Sequence, residues 1–314
     1  MTLQEIKSTI SEPLSKMEEQ YRRTLYSPVP LLNEINDYLL ARSGKQIRPL
    51  LVILSAYAGI GELDENTMQE KINLAIAMEM LHNSSLMHDD VVDESELRRG
   101  RETVRQRWSN KIAVLSGDYY LARVMQILNE IGDSNISQIV NSTVIEMSEG
   151  ELLQQQVSRN MDQNEANYYS VIYKKTASLM KACCQIGYDG LKTFGEHFGM
   201  AFQIRDDIMD YHTDKETGKP QGNDIRERKM TLPLLCYLKK ASEEEAEKVL
   251  ALLKKDTLTD QEADEVVAKV TASGALDDAH IILENKLEEA RTELMQLPDS
   301  KYKMALNHLI DLMR

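Results

Sequence analysis

Two stretches of the 314-residue chain carry the same arrangement of acids. Asp89-Asp90-Val91-Val92-Asp93 and Asp206-Asp207-Ile208-Met209-Asp210 both read Asp-Asp-x-x-Asp with apolar residues in the gap, and 206 − 89 sets them 117 positions apart. On a helix, residues four apart share a face, so Asp89 projects with Asp93 and Asp206 with Asp210. Like charges at that spacing repel, and a cation between them reverses the sign. Oxygen-only ligands select a hard ion. Mg²⁺ takes one or two carboxylates, keeps waters and completes its shell with phosphate oxygens. Two such clusters facing each other would hold several Mg²⁺ ions over one diphosphate. A chain with 51 acids will contain some solvated acidic clusters. The flanking Phe202, Ile204, Ile208 and Met209, however, do not belong to a wet helix face.

An acidic protein that binds an acidic ligand needs local positive charge. Leu97-Arg98-Arg99-Gly100-Arg101 follows the first cluster, and Gly218-Lys219-Pro220 and Lys229 follow the second. Lys174-Lys175-Thr176 joins cations to a hydroxyl, and Gly44-Lys45-Gln46-Ile47-Arg48-Pro49 stands at a helix start, where backbone N–H groups favour anions. His82 lies seven residues before Asp89, within about 20° of the same helix face. Glu79-Met80-Leu81-His82 also forms a Glu-x-x-His step, of which a di-iron bundle needs two, and only this one occurs.

These residues must be positioned by helices. Seven prolines and 14 glycines punctuate the chain sparsely, and apolar residues recur at steps of three and four. Phe194, Phe198 and Phe202 are spaced by four and read as a core-facing ridge. One helix is expected to end near Leu25 and the next to run from Leu31 to Ser43. Capping boxes are expected at Ser242/Glu245 and Thr259/Glu262, and a last helix from Lys301 to Met313. No alternating strand pattern and no repeat of 20–50 residues occurs. The expectation is one all-α domain over residues 1–314, with an N-terminal helix within 1–30 and a peripheral, more charged helical layer over 241–314.

The net charge of 37 − 51 = −14 argues against a nucleic-acid partner, and 42% hydrophobic residues argue against disorder. Cys183, Cys184 and Cys236 make no disulfide framework and suit a reducing cytoplasm, Cys183-Cys184 reading as packing inside a helix. The start, Met1-Thr2-Leu3-Gln4-Glu5, does not read as a signal peptide, and the apolar run Leu50–Ile60 is too short for a transmembrane segment. A cytoplasmic protein is expected.

Taken together, the motifs resemble the trans-isoprenyl diphosphate synthases, or polyprenyl synthetases. The resemblance runs from about Leu31 to Pro233, and its pieces come in the family's order. They include the Gly44–Pro49 segment, His82 with the first aspartate cluster, Arg98-Arg99-Gly100, Gly117-Asp118-Tyr119, Gly150-Glu151, Lys175-Thr176-Ala177 and Ala201-Phe202-Gln203. The second cluster, Gly218-Lys219-Pro220 and Thr231-Leu232-Pro233 complete the set. The resemblance implies an all-α orthogonal bundle of the isoprenoid synthase type, with a deep central cavity, assembled as a homodimer. It implies that Asp89, Asp93, Asp206 and Asp210 hold Mg²⁺, about three ions once substrate is bound, with Asp90 and Asp207 in support. Arg98, Lys175, Thr176, Gln203 and Lys219 would contact the allylic diphosphate (geranyl, farnesyl or geranylgeranyl), Lys45, Arg48, His82 and Arg99 would bind isopentenyl diphosphate, and Lys229 is a further substrate-binding candidate. Two departures stand out: Gln46 replaces the family's usual Arg, and the Gly187–Gly190 connection is short, predicting a tight turn between helices.

The implied reaction is ionisation of the allylic diphosphate, attack by the isopentenyl double bond and loss of a proton. It needs no nucleophilic side chain but must exclude water. Ser85 and Ser84 lie four and five residues before Asp89, the latter about 7.5 Å beneath it along the axis. In the family, bulky residues there stop growth early. Two serines predict an open floor, with deeper residues such as Met78, Leu81 or Met147 setting the limit, and an all-trans product longer than C15. For Ser84-Ser85, close helix packing is the alternative role. Competing readings are a short-chain farnesyl or geranylgeranyl diphosphate synthase, a terpene cyclase, a non-catalytic partner subunit and a di-iron bundle. Lys45, Arg48 and Arg99 argue against the cyclase, which needs no isopentenyl diphosphate site.

Overall fold

A computed structural model describes residues 1–41, 44–212, 221–255 and 257–314. Among these residues the helical expectation holds except for one two-residue-stranded hairpin, so the fold class is all-α. In chain order the helices are α1 (Leu3–Ser8), α2 (Ser11–Leu25), α3 (Pro30–Leu40), α4 (Ile47–Ile60), α5 (Glu65–Val92), α6 (Val104–Arg107), α7 (Asn110–Ile131), α8 (Ser134–Asn160) and α9 (Glu165–Ile172). They continue with α10 (Ser178–Gly187), α11 (Lys192–Met209), α12 (Asn223–Arg226), α13 (Leu232–Lys240), α14 (Glu243–Leu253), α15 (Asp260–Ala272), α16 (Ala275–Leu294) and α17 (Lys301–Asp311). By Cα proximity the chain divides into two compact units.

The first unit comprises residues 1–141, 179–195 and 294–312. Its core is α5, where every residue from Leu74 to Leu81 is buried, so no face is left for water. Asp64 starts this helix by accepting the Thr67 N–H at 2.8 Å. α5 packs chiefly against α7 and α4. The Ser84 hydroxyl donates to the Gly117 carbonyl on α7 at 2.8 Å, which makes Ser84 a contact of the close α5–α7 packing. α4 begins after Gln46, which holds a left-handed backbone with φ 56°, and Pro49 sits in its first turn. α17 lies on α4, where Tyr57 and Tyr302 stack at 4.6 Å. Between α5 and α6 is an element the sequence pattern did not show. Strands β1 (Leu97–Arg98) and β2 (Arg101–Glu102) pair antiparallel around a turn in which Arg99 (φ 53°) and Gly100 (φ 72°) are both left-handed. Two-residue strands are too short to register as alternation.

The second unit comprises residues 142–178, 196–293 and 313–314. α9 runs into a wider π-helical turn over Tyr173–Ala177, a form often found at functional sites. α13 packs on α9 and α15, and α12 on α15. Thr259 and Glu262 form the full reciprocal cap, and Ser242 accepts the Glu245 N–H. The 241–314 tail is divided: α14, α15 and nearly all of α16 lie in this unit and α17 in the first. Phe194 and Phe198 are fully buried, as the ridge predicts, while Phe202 is half-buried. In the first unit, which also holds Phe194 and residues 183 and 184, the Gly187–Gly190 connection is tight, continuing into a single 3₁₀ turn at Asp189–Leu191. Cys183 and Cys184 are buried, and burial pushes the Cys184 thiol up to about 12, so both act as packing groups.

Candidate active site

Each aspartate cluster closes a long helix. Asp89 and Asp90 occupy the last turn of α5 and Asp93 is its C-cap, while Asp206 and Asp207 occupy the last turn of α11 and Asp210 follows it. The macrodipole is negative at a helix C-terminus, so acids there are unfavourable until a cation joins them. The donors are oxygen-only and partly open: Asp206 is exposed, and Asp89, Asp93 and Asp210 are half-buried. That set fits Mg²⁺, which retains waters and borrows phosphate oxygens. Among the described residues no group of three His, Cys, Asp or Glu side chains is placed to hold a metal ion.

In the first unit, Asp90 is buried and accepts a hydrogen bond from Arg98 Nε at 2.7 Å. Burial pushes its carboxyl up, and the Arg98 guanidinium opposes that push. Arg98 on β1 is thus aimed by the acid that the sequence placed in a supporting role. Arg99 is exposed on the hairpin turn, and a Cβ at Gly44 would land on its guanidinium, so a glycine at 44 makes room for it. Lys45 is exposed just before α4 and Arg48 is half-buried in its first turn. His82 is half-buried, and burial followed by Arg48, Arg99 and Arg98 holds its imidazole well below the ordinary range. It is therefore neutral and offers hydrogen bonds rather than charge. Glu79 is buried beside Arg48, Arg99 and Lys7, which is a cationic setting and not the surroundings of an iron ligand. An open cavity of about 810 Å³ is lined by Gly44, Gln46, Glu79, Asp90, Arg98 and Arg99, among others.

In the second unit, the π-helical turn presents Lys175 and Thr176. A Cβ at Gly150 would meet Lys174 Cβ and the Lys175 nitrogen at 2.8 Å, so this glycine lets α8 approach the turn. Lys175 Nζ pairs with Glu151 at 2.5 Å. Thr176 donates to Gln203 Oε1 at 2.7 Å, and Gln203 Nε2 donates to Asp207 Oδ1 at 2.9 Å. Tyr168 donates to Asp207 Oδ2 at 2.7 Å. Asp207 is buried, and burial pushes its carboxyl up. It anchors the helix end and does not face solvent. Asp210 accepts the backbone N–H groups of Asn223 at 3.1 Å and Asp224 at 2.9 Å, fixing the start of α12. Each carboxylate oxygen keeps a second lone pair for a cation. Lys229 pairs with Glu227 and lines a cavity of about 610 Å³ with Lys175, Thr176, Gln203, Asp207 and Asp224. Lys219 lies outside the described residues.

Tyr168→Phe removes one of the two side-chain hydrogen bonds to Asp207. It is expected to cost about 1 kcal/mol, seen as a fall of about 1.5 °C in melting temperature by thermal denaturation.

Several site residues were missed in the sequence. In the sequence Glu79 reads only as part of a Glu-x-x-His step, and Glu151 only as half of Gly150-Glu151. Tyr168, Asp224 and Lys7 carry no local signal at all. The chain-length candidates divide: Leu81 and Ser84 are buried, whereas Ser85 is half-buried with its hydroxyl on the His82 carbonyl at 2.9 Å.

Residues 29–270 match the sequence profile of the family described as Polyprenyl synthetase. The chain is 33% identical over 310 residues to heptaprenyl diphosphate synthase component 2 of Bacillus subtilis, covering 95% of this chain and 86% of that protein. It is 34% identical over 318 residues to the all-trans-nonaprenyl-diphosphate synthase (geranyl-diphosphate specific) of Rhodobacter capsulatus, covering 98% of this chain and 95% of that one. The crystal structure of a decaprenyl diphosphate synthase from Rhodobacter capsulatus superposes with a TM-score of 0.90 at 31% identity, covering 99% of this chain and 98% of that one.

Proposed function

The chain belongs to the polyprenyl synthetase family, and from that we propose that it lengthens an allylic diphosphate with isopentenyl diphosphate to an all-trans product beyond C15. The observation that carries the reading is the placement of both aspartate clusters at helix C-termini, where they gain most from divalent cations. The enzyme class, a prenyltransferase, follows from the family. The heptaprenyl, nonaprenyl and decaprenyl names of its relatives support the long product.

Asp89, Asp93, Asp206 and Asp210 hold Mg²⁺ in this reading. When bound, Mg²⁺ supplies Lewis-acid stabilisation of charge developing on the leaving diphosphate. Arg98, Lys175, Lys219 and Lys229 share that charge, and Thr176 and Gln203 hydrogen-bond the diphosphate oxygens. Asp90 and Glu151 hold two of these cations at fixed positions beforehand, so little reorganisation accompanies ionisation. Lys45, Arg48 and Arg99 bind isopentenyl diphosphate, and neutral His82 adds a hydrogen bond. The allylic cation is attacked by the isopentenyl double bond, and a proton leaves the adduct. The primer is geranyl, farnesyl or geranylgeranyl diphosphate. A homodimer is part of the proposal, supported by the exposed apolar Leu115 and Met125 on α7. Among the described residues no helix is long and apolar enough to cross a membrane.

Incubation with labelled isopentenyl diphosphate, Mg²⁺ and these primers tests the reading, with the dephosphorylated products resolved by chromatography. Products longer than C15 are expected, and products formed without isopentenyl diphosphate would turn the assignment to a cyclase. Chelation of divalent cations is expected to abolish turnover and Mg²⁺ to restore it in the same assay. One observation favours a second reading. The Bacillus subtilis relative is a component 2, so this chain could be half of a two-part synthase. Product formed by the purified chain alone excludes that reading.

A further inference from the structure

The six-residue first helix, α1, brings a cation to Gln46, a residue that lines the cavity of the first unit. α1 is fixed by a reciprocal cap between Thr2 and Glu5 and by Ile6, which is fully buried. The next residue, Lys7, is half-buried, and its Nζ donates to Gln46 Oε1 at 3.3 Å. Gln46 is buried, lines the cavity and stands immediately before the first N–H groups of α4.

Three features make this an unusual place for a lysine. Its hydrogen-bond acceptor is a neutral amide, and among the described residues Lys7 forms no ion pair. Glu79 also lines the cavity, lies in the field of Arg48, Arg99 and Lys7, and has an oxygen, Oε2, with no hydrogen-bond partner among the described residues. The buried Glu79 carboxylate thus lies in the field of Lys7 as well as of the two arginines. The same positive field reaches His82 from Arg48, Arg99 and Arg98. A half-buried lysine resting on an amide can leave it at little cost when an anion enters. Its four-carbon stem also lets the ammonium swing while the stem stays packed.

We propose that Lys7 is a diphosphate-binding residue of this cavity, moving from Gln46 to the diphosphate of isopentenyl diphosphate when it binds. This rests on the reading that Arg48 and Arg99 serve that substrate. It makes α1 part of the substrate site, although the helix lies far from both aspartate clusters in sequence.

Calorimetric titration of isopentenyl diphosphate into the full chain and its variants tests the proposal. Lys7→Met keeps the apolar stem and is expected to weaken binding about tenfold, the effect of one charge-assisted hydrogen bond. Lys7→Arg is expected to bind within about threefold of the unaltered protein, and Lys7→Met combined with Gln46→Arg to regain most of the loss, because it returns a cation to the same place. Binding of a non-reactive allylic diphosphate analogue with Mg²⁺ should not change. Unaltered affinity in Lys7→Met overturns the proposal. So does a loss that the second substitution fails to restore and that accompanies a lower melting temperature, since Lys7 would then serve only the fold. If the unaltered protein binds the allylic analogue but not isopentenyl diphosphate, the assignment of the cavity itself fails, a result distinct from the other two.

Discussion

Asp206→Asn is expected to lower kcat about 10³-fold while leaving the melting temperature unchanged or slightly raised, and Asp89→Asn to do the same. The two halves of this result have one cause. Asn is nearly the same size as Asp but neutral, so the cluster loses a charged oxygen ligand while local packing is kept. In the absence of metal two terms oppose that charge: it sits at the negative end of a helix, four residues from another acid. Removing it relieves both terms, each worth a few tenths of a kcal/mol. In the proposed role, with substrate and metal present, the same charge would help to stabilise the ionising diphosphate. Most damaging substitutions lower activity and stability together; these should separate them. Steady-state kinetics with saturating Mg²⁺, set beside thermal denaturation without metal, measures both. Retention of kcat within about threefold in both variants would falsify the assignment of these carboxylates to the metal.

Ser85→Phe is expected to shorten the product by at least one five-carbon unit, whereas Ser84→Phe is expected mainly to destabilise the protein. From the sequence both serines predict an open floor, with Ser85 the better placed, about 40° off the Asp89 face on an ideal helix against about 140° for Ser84. The structure separates them. Ser84 is 3% exposed, and its hydroxyl is held at 2.8 Å from the Gly117 carbonyl, leaving no room for a ring between α5 and α7. Overpacking there costs about 3 kcal/mol, or about 4 °C in melting temperature. Ser85 is half-buried and bonded only within its own helix turn, so a larger side chain can be accommodated. Chromatography of dephosphorylated products reads the first effect and thermal denaturation the second. Unchanged chain length in both variants would remove this part of α5 from control of elongation.

The aspartates were legible because their signal is local: a spacing of four, apolar flanks and nearby cations are all visible along the string. The helices were legible for the same reason. The residues that aim the site were not. Tyr168 meets Asp207 across 39 positions, and Lys7 meets Gln46 across the same number, so no window of sequence contains both partners. Glu79 has the spacing of an iron ligand, and only its cationic neighbours in the fold show otherwise. The π-helical turn at Tyr173–Ala177 has no distinguishing composition, since it differs from an ordinary helix by one register of hydrogen bonding.

The hairpin between α5 and α6 works as a sorting device. Arg98, Arg99 and Arg101 look like one basic patch, yet each goes to a different destination: the Asp90 carboxylate, the backbone beside Gly44 and the ring of Tyr38, 4.1 Å from the guanidinium. What distributes them is the left-handed turn and the phase of two very short strands. A slip of one residue would keep every charge and misdirect all three. Phase, more than charge count, is what this segment has to preserve over its history, and insertions should be far rarer here than exchanges of one side chain for another.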